Sequence, residues 1–507
     1  MVRSIFEELA SVRILRNTMY SFAGSGFPII ISIITIPFFI SQIGMEKYGV
    51  LAIGWLLLGY FGAADFGIGR AITQRVAFLS TSDGEAQSKP SIADAIASAI
   101  ALMLVFSIFT TLALYLLSIL YFDLALDVSS ALRQEIVSSI WILALGNPLV
   151  ALFAILSGSL MGLERFRLVA ISNTISNSAL LILPLMVAVW ITVDLFWLLA
   201  AALVARLIGV CILATGVWAA FFRGQSWRVS KPEMRKLTGY GKWIMLSALV
   251  GPLMVISDRF LIGFLENAIA VAAYAVPFQI ASRTMLLPVS LAQALFPRLT
   301  AEVLDKAILL NRRLTVFVGQ AFAPIVVGLI CIAEPLLDFW LGTQLDSRSI
   351  DVAQIVLVGF WFNAIAHVPY MFVQARGDSR FTGLLHLGEL PIYLLLLTFF
   401  GLQFGLQGFA MAFAIRCLLD CLALMHRTGE LRLQALRALL FPGVLIGAAI
   451  FAGMIFTSWV YLIVAGTFLT SAALAGLICI LPNEVRSLSV SKDRALAALE
   501  NWLAQSD

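Results

Sequence analysis

ALLFPGVLIGAAIFAGMIFTSWVYLIVAGTFLTSAALAGLICILPN, residues 438–483, contains no Asp, Glu, His, Lys or Arg. A helix needs about 20 apolar residues to cross the hydrocarbon of a bilayer. This stretch holds enough for two, turning near Thr457 and Ser458. It also lacks the alternation of polar and apolar residues that marks a barrel strand. The same ruler laid along the rest of the chain finds spans near 18–42, 48–68, 95–121, 136–161, 168–192, 195–222, 243–264, 268–297, 314–336, 351–374, 382–402 and 405–425. With the pair at 438–457 and 460–482, about fourteen transmembrane helices are expected, in an all-α polytopic membrane protein.

Composition agrees. Of 507 residues 61% are apolar and 12% charged, about half the charge of a soluble domain. The net charge of +4 is not the clustered basic face of a nucleic-acid binder, and no nucleic-acid partner is expected. All five cysteines lie in apolar runs without a CxxC pair, and the three histidines are scattered. Small apolar packing is the reading for the cysteines. No metal and no cofactor is expected.

Lysine and arginine in short loops set orientation. With both termini cytoplasmic, 26 of the 33 basic residues fall on the inside and three, Lys47, Arg133 and Arg348, on the outside. The remaining four lie within spans. Ile5, Phe6, Leu9 and Val12 recur at helical spacing before the first span, and Leu496, Leu499, Trp502 and Leu503 do so in the tail. Both ends read as interfacial amphipathic segments.

A weak repeat runs through the chain. Pro28 answers to Pro252, Gly44 to Gly263, Pro148 to Pro369, and Gly162-Leu-Glu-Arg-Phe166 to Gly377-Asp-Ser-Arg-Phe381, all at offsets near 220. Two pseudo-symmetric six-helix lobes are implied, 1–222 and 243–428, joined by a basic cytoplasmic connector at 223–242. Two additional transmembrane helices follow at 429–482 and a cytoplasmic amphipathic tail at 483–507. Repeats of this kind mark transporters with the substrate path between lobes. The small-residue pairs Gly158/Gly162, Gly401/Gly405 and Gly443/Gly447 read as packing faces.

Several short motifs carry a resemblance. Arg16-Asn17-Thr18 opens the first span, which closes on Ile43-Gly44-Met-Glu-Lys-Tyr48-Gly49. Asp65-Phe-Gly-Ile-Gly-Arg70, Gly162-Leu-Glu-Arg-Phe166, Ser257-Asp258-Arg259-Phe-Leu-Ile-Gly263, Leu295-Phe-Pro-Arg298 and Trp340-Leu-Gly342 follow in order. In order and spacing the chain resembles the polysaccharide-flippase (Wzx-like) branch of the multidrug/oligosaccharidyl-lipid/polysaccharide exporter superfamily. The resemblance implies a fourteen-helix, two-lobe transporter of the bacterial inner membrane. It would move undecaprenyl-pyrophosphate-linked oligosaccharide to the periplasmic leaflet for cell-surface polysaccharide such as O-antigen, alongside other envelope assembly proteins.

Arginine at a bilayer centre costs roughly 2.5–3.5 kcal/mol on insertion scales, so Arg206, Arg259, Arg283 and Arg416 are expected to face a wet interior. Arg416 and Asp420 are one turn apart and suited to a structural ion pair. Asp258 and Arg259 are adjacent, point about 100° apart and read as poor partners for each other. Arg206, Arg259 and Arg283 then form the expected cationic lumen, since guanidinium binds phosphate two-pronged. Trp55, Tyr60 and Trp361 are candidates to stack on sugar rings, with interfacial or packing roles as the competing reading. Asp258 and Glu389 are the candidate coupling carboxylates for H+ or Na+.

Three functions compete. An ion-coupled extruder of drugs or small cations would want a lumen of unpaired acids, and the buried set here leans basic. A glycan polymerase or ligase would need catalytic residues in external loops, which here are short. No G-x-x-x-x-G-K-[ST] stretch is present, so ATP is not the direct drive, and the chain is read as a flippase rather than an enzyme. The charge asymmetry yields a direct test of topology. Reporter fusions after residues 230, 305 and 430 are expected to read cytoplasmic, and fusions near 127 and 346 periplasmic. A periplasmic signal at 230 would invert the orientation.

Overall fold

A computed structural model describes residues 12–63, 68–81, 92–163, 165–223, 227–291, 299, 303–344, 346–456 and 458–480. The side chains of 12–25, 58–63 and 239–252 lie outside that description, as do the amphipathic tail and the first turns of the N-terminal segment. Among the described residues the regular elements are helices. The chain forms two compact units, Met1–Ala272 and Ala273–Asp507.

The first unit comprises α1 (Val12–Ala63), α2 (Ile68–Thr81), α3 (Ile92–Ile119), α4 (Ser130–Gly162), α5 (Phe166–Trp190), α6 (Leu195–Val217) and α7 (Lys231–Leu265). Helix α8 (Ala268–Arg283) runs across the division. The second holds α9 (Leu304–Leu341), α10 (Arg348–Ala375), α11 (Ser379–Arg427), α12 (Leu433–Ile455) and α13 (Trp459–Ile480). By contact, the helix expected as span seven groups with the first unit, so the compact units divide later than the basic connector at 223–242.

Eleven segments among the described residues are long and apolar enough to cross a bilayer. Two of these carry two legs each. Helix α1 breaks at Gly44, with φ 76°, and α11 at Gly405, with φ 56°. Only glycine adopts that backbone without a Cβ penalty, and both breaks fall where the sequence separates two spans. Helix α7, with 35 residues, is long enough for one more crossing at about 1.5 Å per residue. The fourteen expected crossings are accommodated. Their outward faces are apolar: Ile108 and Phe109 on α3 are each 68% exposed and Leu395 on α11 is 71%. Such a belt is at home in lipid and would be a liability in water.

Helix α4 is central in the first unit, packing on α1, α2, α3 and α6. Helix α2, only 14 residues long, was not anticipated by the span reading. It buries Ile68, Ala71, Ile72 and Val76 and turns Gln74 and Phe78 outward. Its seat is the first glycine pair: a Cβ on Gly158 would strike the Gly69 carbonyl, and one on Gly162 would strike Val76. That pair is a packing face, as expected. In the second only Gly401 packs closely, against the Phe409 ring, while Gly405 is the bend itself. The third is loose: a Cβ on Gly443 would lie 3.6 Å from Trp361, and one on Gly447 would meet nothing within 4 Å.

In the second unit α9 is central, against α10, α12 and α13. The repeated motif falls at a link between two helices in both places, with a different backbone at its glycine. Gly162 ends α4 just before α5 begins at Phe166, and Gly377, at φ 80°, separates α10 from α11.

The turn between α11 and α12 is fastened to α9 by Glu430, 1% exposed, which accepts from Asn311 Nδ2. Burial pushes this carboxyl up to about 7, against the opposing pull of Thr315, Thr428 and Arg312. An unfolded glutamate titrates near 4.5, so between those values the folded chain holds more protons than the unfolded one. The stability this proton supplies is complete below the lower value and lost as pH rises through the upper. The Glu430→Gln variant is expected to unfold in detergent with a flatter pH dependence. It should gain on the order of 2 kcal/mol over the parent near pH 8 relative to pH 5. Parallel pH profiles of the two proteins would exclude a protonated Glu430.

Candidate functional site

A charged side chain inside the hydrocarbon must find its partner within the protein. The intramembrane charges of this chain solve that problem in two ways.

In the first unit they are closed off locally. The Arg259 guanidinium donates through one nitrogen to both Asp258 oxygens, at 2.7 and 2.8 Å, and to the Val255 carbonyl at 2.6 Å. Arg259 and Asp258 are 3% and 1% exposed. This corrects the reading of the two as poor partners. Their Cβ atoms do diverge, but the arginine stem is long enough to fold the fork back over its neighbour and reach the carbonyl one turn earlier. Arg206 on α6 donates to Asn177 Oδ1 on α5 at 3.0 Å. Its Nε has no hydrogen-bond partner among the described residues. Neither is left as a bare lumen cation.

The second unit assembles a different group. His386 and Glu389 lie on the first leg of α11, and Arg416 and Asp420 on the second. Residues 31 positions apart on one straight helix would be separated by about 46 Å at 1.5 Å per residue. Instead His386, Glu389 and Asp420 each offer a ligand atom within 4.8 Å of the others. The bend at Gly405 therefore folds α11 into a hairpin whose legs face each other. Asp420 Oδ1 lies 4.0 Å from His386 Nε2. The Arg416 guanidinium sits 5.8 Å over the Tyr393 ring. Around the rim, Tyr370 of α10 stacks between His367 and His386, with ring centroids 5.9 and 6.0 Å away.

The expected Arg416–Asp420 pair is not closed to ion-pair distance among the described residues; Asp420 faces His386 instead. Neither oxygen of Glu389, itself 9% exposed, has a hydrogen-bond partner there. Two carboxylates with one guanidinium leave the group one positive charge short of neutrality while His386 is neutral. A proton on His386 or on a carboxyl, or one monovalent cation held by the three side chains, supplies it. Arg416 beside the group disfavours a divalent ion.

The other expected residues have separate settings. Arg283 is exposed at the C-terminal end of α8, where a cation suits the helix dipole. Trp361 is 4% exposed and donates from Nε1 to the Gly319 carbonyl at 2.8 Å, fastening α10 to α9. Trp55 packs edge-on against Phe39 across the Gly44 bend, at 5.9 Å, and against Tyr48 on its own leg at 6.2 Å. The Tyr60 side chain lies outside the described residues. Sequence reasoning missed His386 and Tyr393. The available signal was His386 three residues before Glu389 on one helix face.

Residues 14–301 match a protein family described as polysaccharide biosynthesis protein. The chain is 28% identical over 418 residues to a Shigella flexneri protein described as "Putative O-antigen transporter", covering 81% of this chain and 96% of that one. Among solved structures, the lipid II flippase MurJ in an inward closed conformation matches with a TM-score of 0.69 at 16% identity, covering 90% of this chain and 98% of that one. An inward-facing multidrug resistance MATE family transporter of the MOP superfamily matches at 0.60 and 12% identity, with coverages of 85% and 98%. At those identities the structural likeness shows the fold.

The closed Asp258–Arg259 pair makes a quantitative prediction. Removing one partner takes away the charge-assisted contacts the other makes with it in a buried setting, and breaking a buried ion pair costs about 3–5 kcal/mol. Asp258→Ala alone is expected to lower the unfolding midpoint or the yield of folded protein sharply. The Asp258→Ala, Arg259→Ala double variant should recover much of the loss. A double variant as damaged as the sum of the singles would show that the two side chains act separately.

Proposed function

The chain belongs to the polysaccharide biosynthesis protein family, and we propose that it is a flippase. It carries an undecaprenyl-pyrophosphate-linked oligosaccharide from the cytoplasmic to the periplasmic leaflet of the bacterial inner membrane. The observation that carries this reading is the match to the O-antigen transporter relative over 96% of that protein's length. A fold shared with membrane transporters agrees with it.

Alternating access needs two bodies that rock about a connector. The sequence repeat supports lobes at 1–222 and 243–428 about the basic segment 223–242. The coupling site in this reading is the His386–Glu389–Asp420 group. Binding one proton or sodium ion neutralises it and release leaves it charged, so the two states differ in how well they tolerate a dry surrounding. Of the three expected cations Arg283 is the exposed one, whereas the Arg206 Nε is buried and Arg259 serves Asp258.

The unmatched carboxylates also suit a cationic cargo, as in a multidrug extruder of the same superfamily. One experiment separates the two. The protein is reconstituted in proteoliposomes with a lipid-linked oligosaccharide, or with a cationic dye, under imposed proton or sodium gradients. Glycolipid appearance on the far leaflet is expected to accelerate with one gradient. Glu389→Gln is expected to lose that acceleration, at least tenfold, while folding and inserting normally. Full gradient response in the Glu389→Gln, Asp420→Asn double variant would remove the coupling site. Dye export without glycolipid movement would replace the flippase with the extruder.

A further inference from the structure

Helix α2 and the start of α7 enclose a cleft of about 250 Å³ lined by Ala71, Gln74, Arg75, Phe78, Lys236 and Leu237. Its chemistry is set by one buried acid. Glu233 is 1% exposed and accepts from Arg75 Nε at 2.7 Å, from Arg75 Nη2 at 2.8 Å and from Lys236 Nζ at 3.0 Å. Burial alone would raise the Glu233 carboxyl, but the hydrogen bonds and charges of Arg75 and Lys236 outweigh it and hold the group below its ordinary range. The carboxylate therefore stays ionised and fixes the Arg75 fork by one edge. The Nη1 edge keeps its donors unused among the described residues. Two cations and one anion leave the cleft net positive, and the Gln74 amide stands on its exposed side.

A second, independent observation points to the headgroup level for the segment leading into α7. The segment leading into α7 carries an aromatic run in which Trp218 stacks on Phe222 at 5.9 Å and Phe222 meets Trp227 edge-on at 5.5 Å. Trp218 and Trp227 are 58% and 47% exposed. Exposed tryptophan beside Arg228, Lys231 and Arg235 is what a protein presents at the level of lipid headgroups. The connector is also tied down there, with Arg228 N donating to Asp94 Oδ1 at 2.6 Å and Ser230 N to Ser98 Oγ at 2.9 Å.

We propose that the Arg75–Lys236 cleft is a binding site for the phosphate of an anionic membrane lipid, seated between α2 and the connector, with Glu233 as the residue that orients Arg75. A phosphate oxygen takes the open edge of the guanidinium, Lys236 supplies the second charge from the rim, and Phe78, 57% exposed, lies against the glycerol and upper chain. The site is independent of the cargo, so its test requires no transport.

The full-length protein in neutral detergent is titrated with short-chain phosphatidylglycerol, short-chain phosphatidylcholine or inorganic pyrophosphate, and the unfolding midpoint is followed. Phosphatidylglycerol is expected to stabilise saturably and phosphatidylcholine not at all. Lys236→Gln, at a position where the side chain is 57% exposed, should weaken the phosphatidylglycerol affinity about fivefold, the contribution of one cation near an anionic surface. Arg75→Gln alone would leave Glu233 without its main partner. The Arg75→Gln, Glu233→Gln double variant avoids that and should lose at least as much affinity. Equal stabilisation by the two lipids, or unchanged titrations in both variants, would overturn the site. Pyrophosphate binding as tight as phosphatidylglycerol, and lost in the same variants, would overturn the lipid as its source.

Discussion

Within the hydrocarbon a charge has no water to turn to, and that single constraint organises this molecule. It explains why only 12% of the residues are charged and why the few placed deep are gathered with others. The first unit answers the constraint by closure, with Asp258 chelated by Arg259 and Arg206 held by Asn177. The second answers it by concentration, with His386, Glu389, Arg416 and Asp420 in one place. Closure gives a group that water and ions can leave alone. Concentration with an odd charge gives one whose comfort depends on what enters it.

Both arrangements depend on backbone geometry that only particular residues allow. Gly405 sits 16 residues after Glu389 and 15 before Asp420. Two antiparallel legs leaving one bend bring residues at equal distances opposite each other, so Glu389 and Asp420 meet about 23 Å from the turn at 1.5 Å per residue. The carboxyl cluster is thus a consequence of where one glycine stands. Gly44 does the same in α1, bringing Phe39 to within 6.5 Å of Tyr48 and 5.9 Å of Trp55. Close approach elsewhere is also granted by glycine: Gly49 runs against the Ala268 backbone, where any Cβ would collide.

The membrane-crossing helices and the breaks between them were legible because hydropathy over about 20 residues is a strong signal, and the 14-residue α2 was too short for that ruler. The site was legible only in part. Glu389, Arg416 and Asp420 stood out as charges in apolar runs, but their meeting required the symmetry about Gly405 to be read as a hairpin rather than as two unrelated spans. His386 looked incidental because three scattered histidines carry little information until the fold brings one to the acids. The Asp258–Arg259 contact was missed for another reason. Helical spacing describes where Cβ atoms point, and a side chain as long as arginine can return to its own neighbour. Trp361 was read for its ring, while its indole N–H, which must be satisfied when buried, decides its role.

The contrast between the two units bears on where a transport cycle could take in energy. A neutralised pair such as Asp258–Arg259 has no vacancy for an ion, and its disruption is simply destabilising. The hairpin group is different: its electrostatic energy depends on whether a proton or cation is present, and burial makes that dependence steep. A ligand shifts a conformational equilibrium only by its differential affinity for the two states. Were the proposed cycle ion-driven, the ion would act through the second unit, where a buried group among the described residues changes its net charge on binding one. The stacked His367–Tyr370–His386 column extends from that group along α10 and ties the first leg of α11 to a neighbouring helix. A change of charge at His386 would therefore be felt first as a change in the packing of α10 against α11.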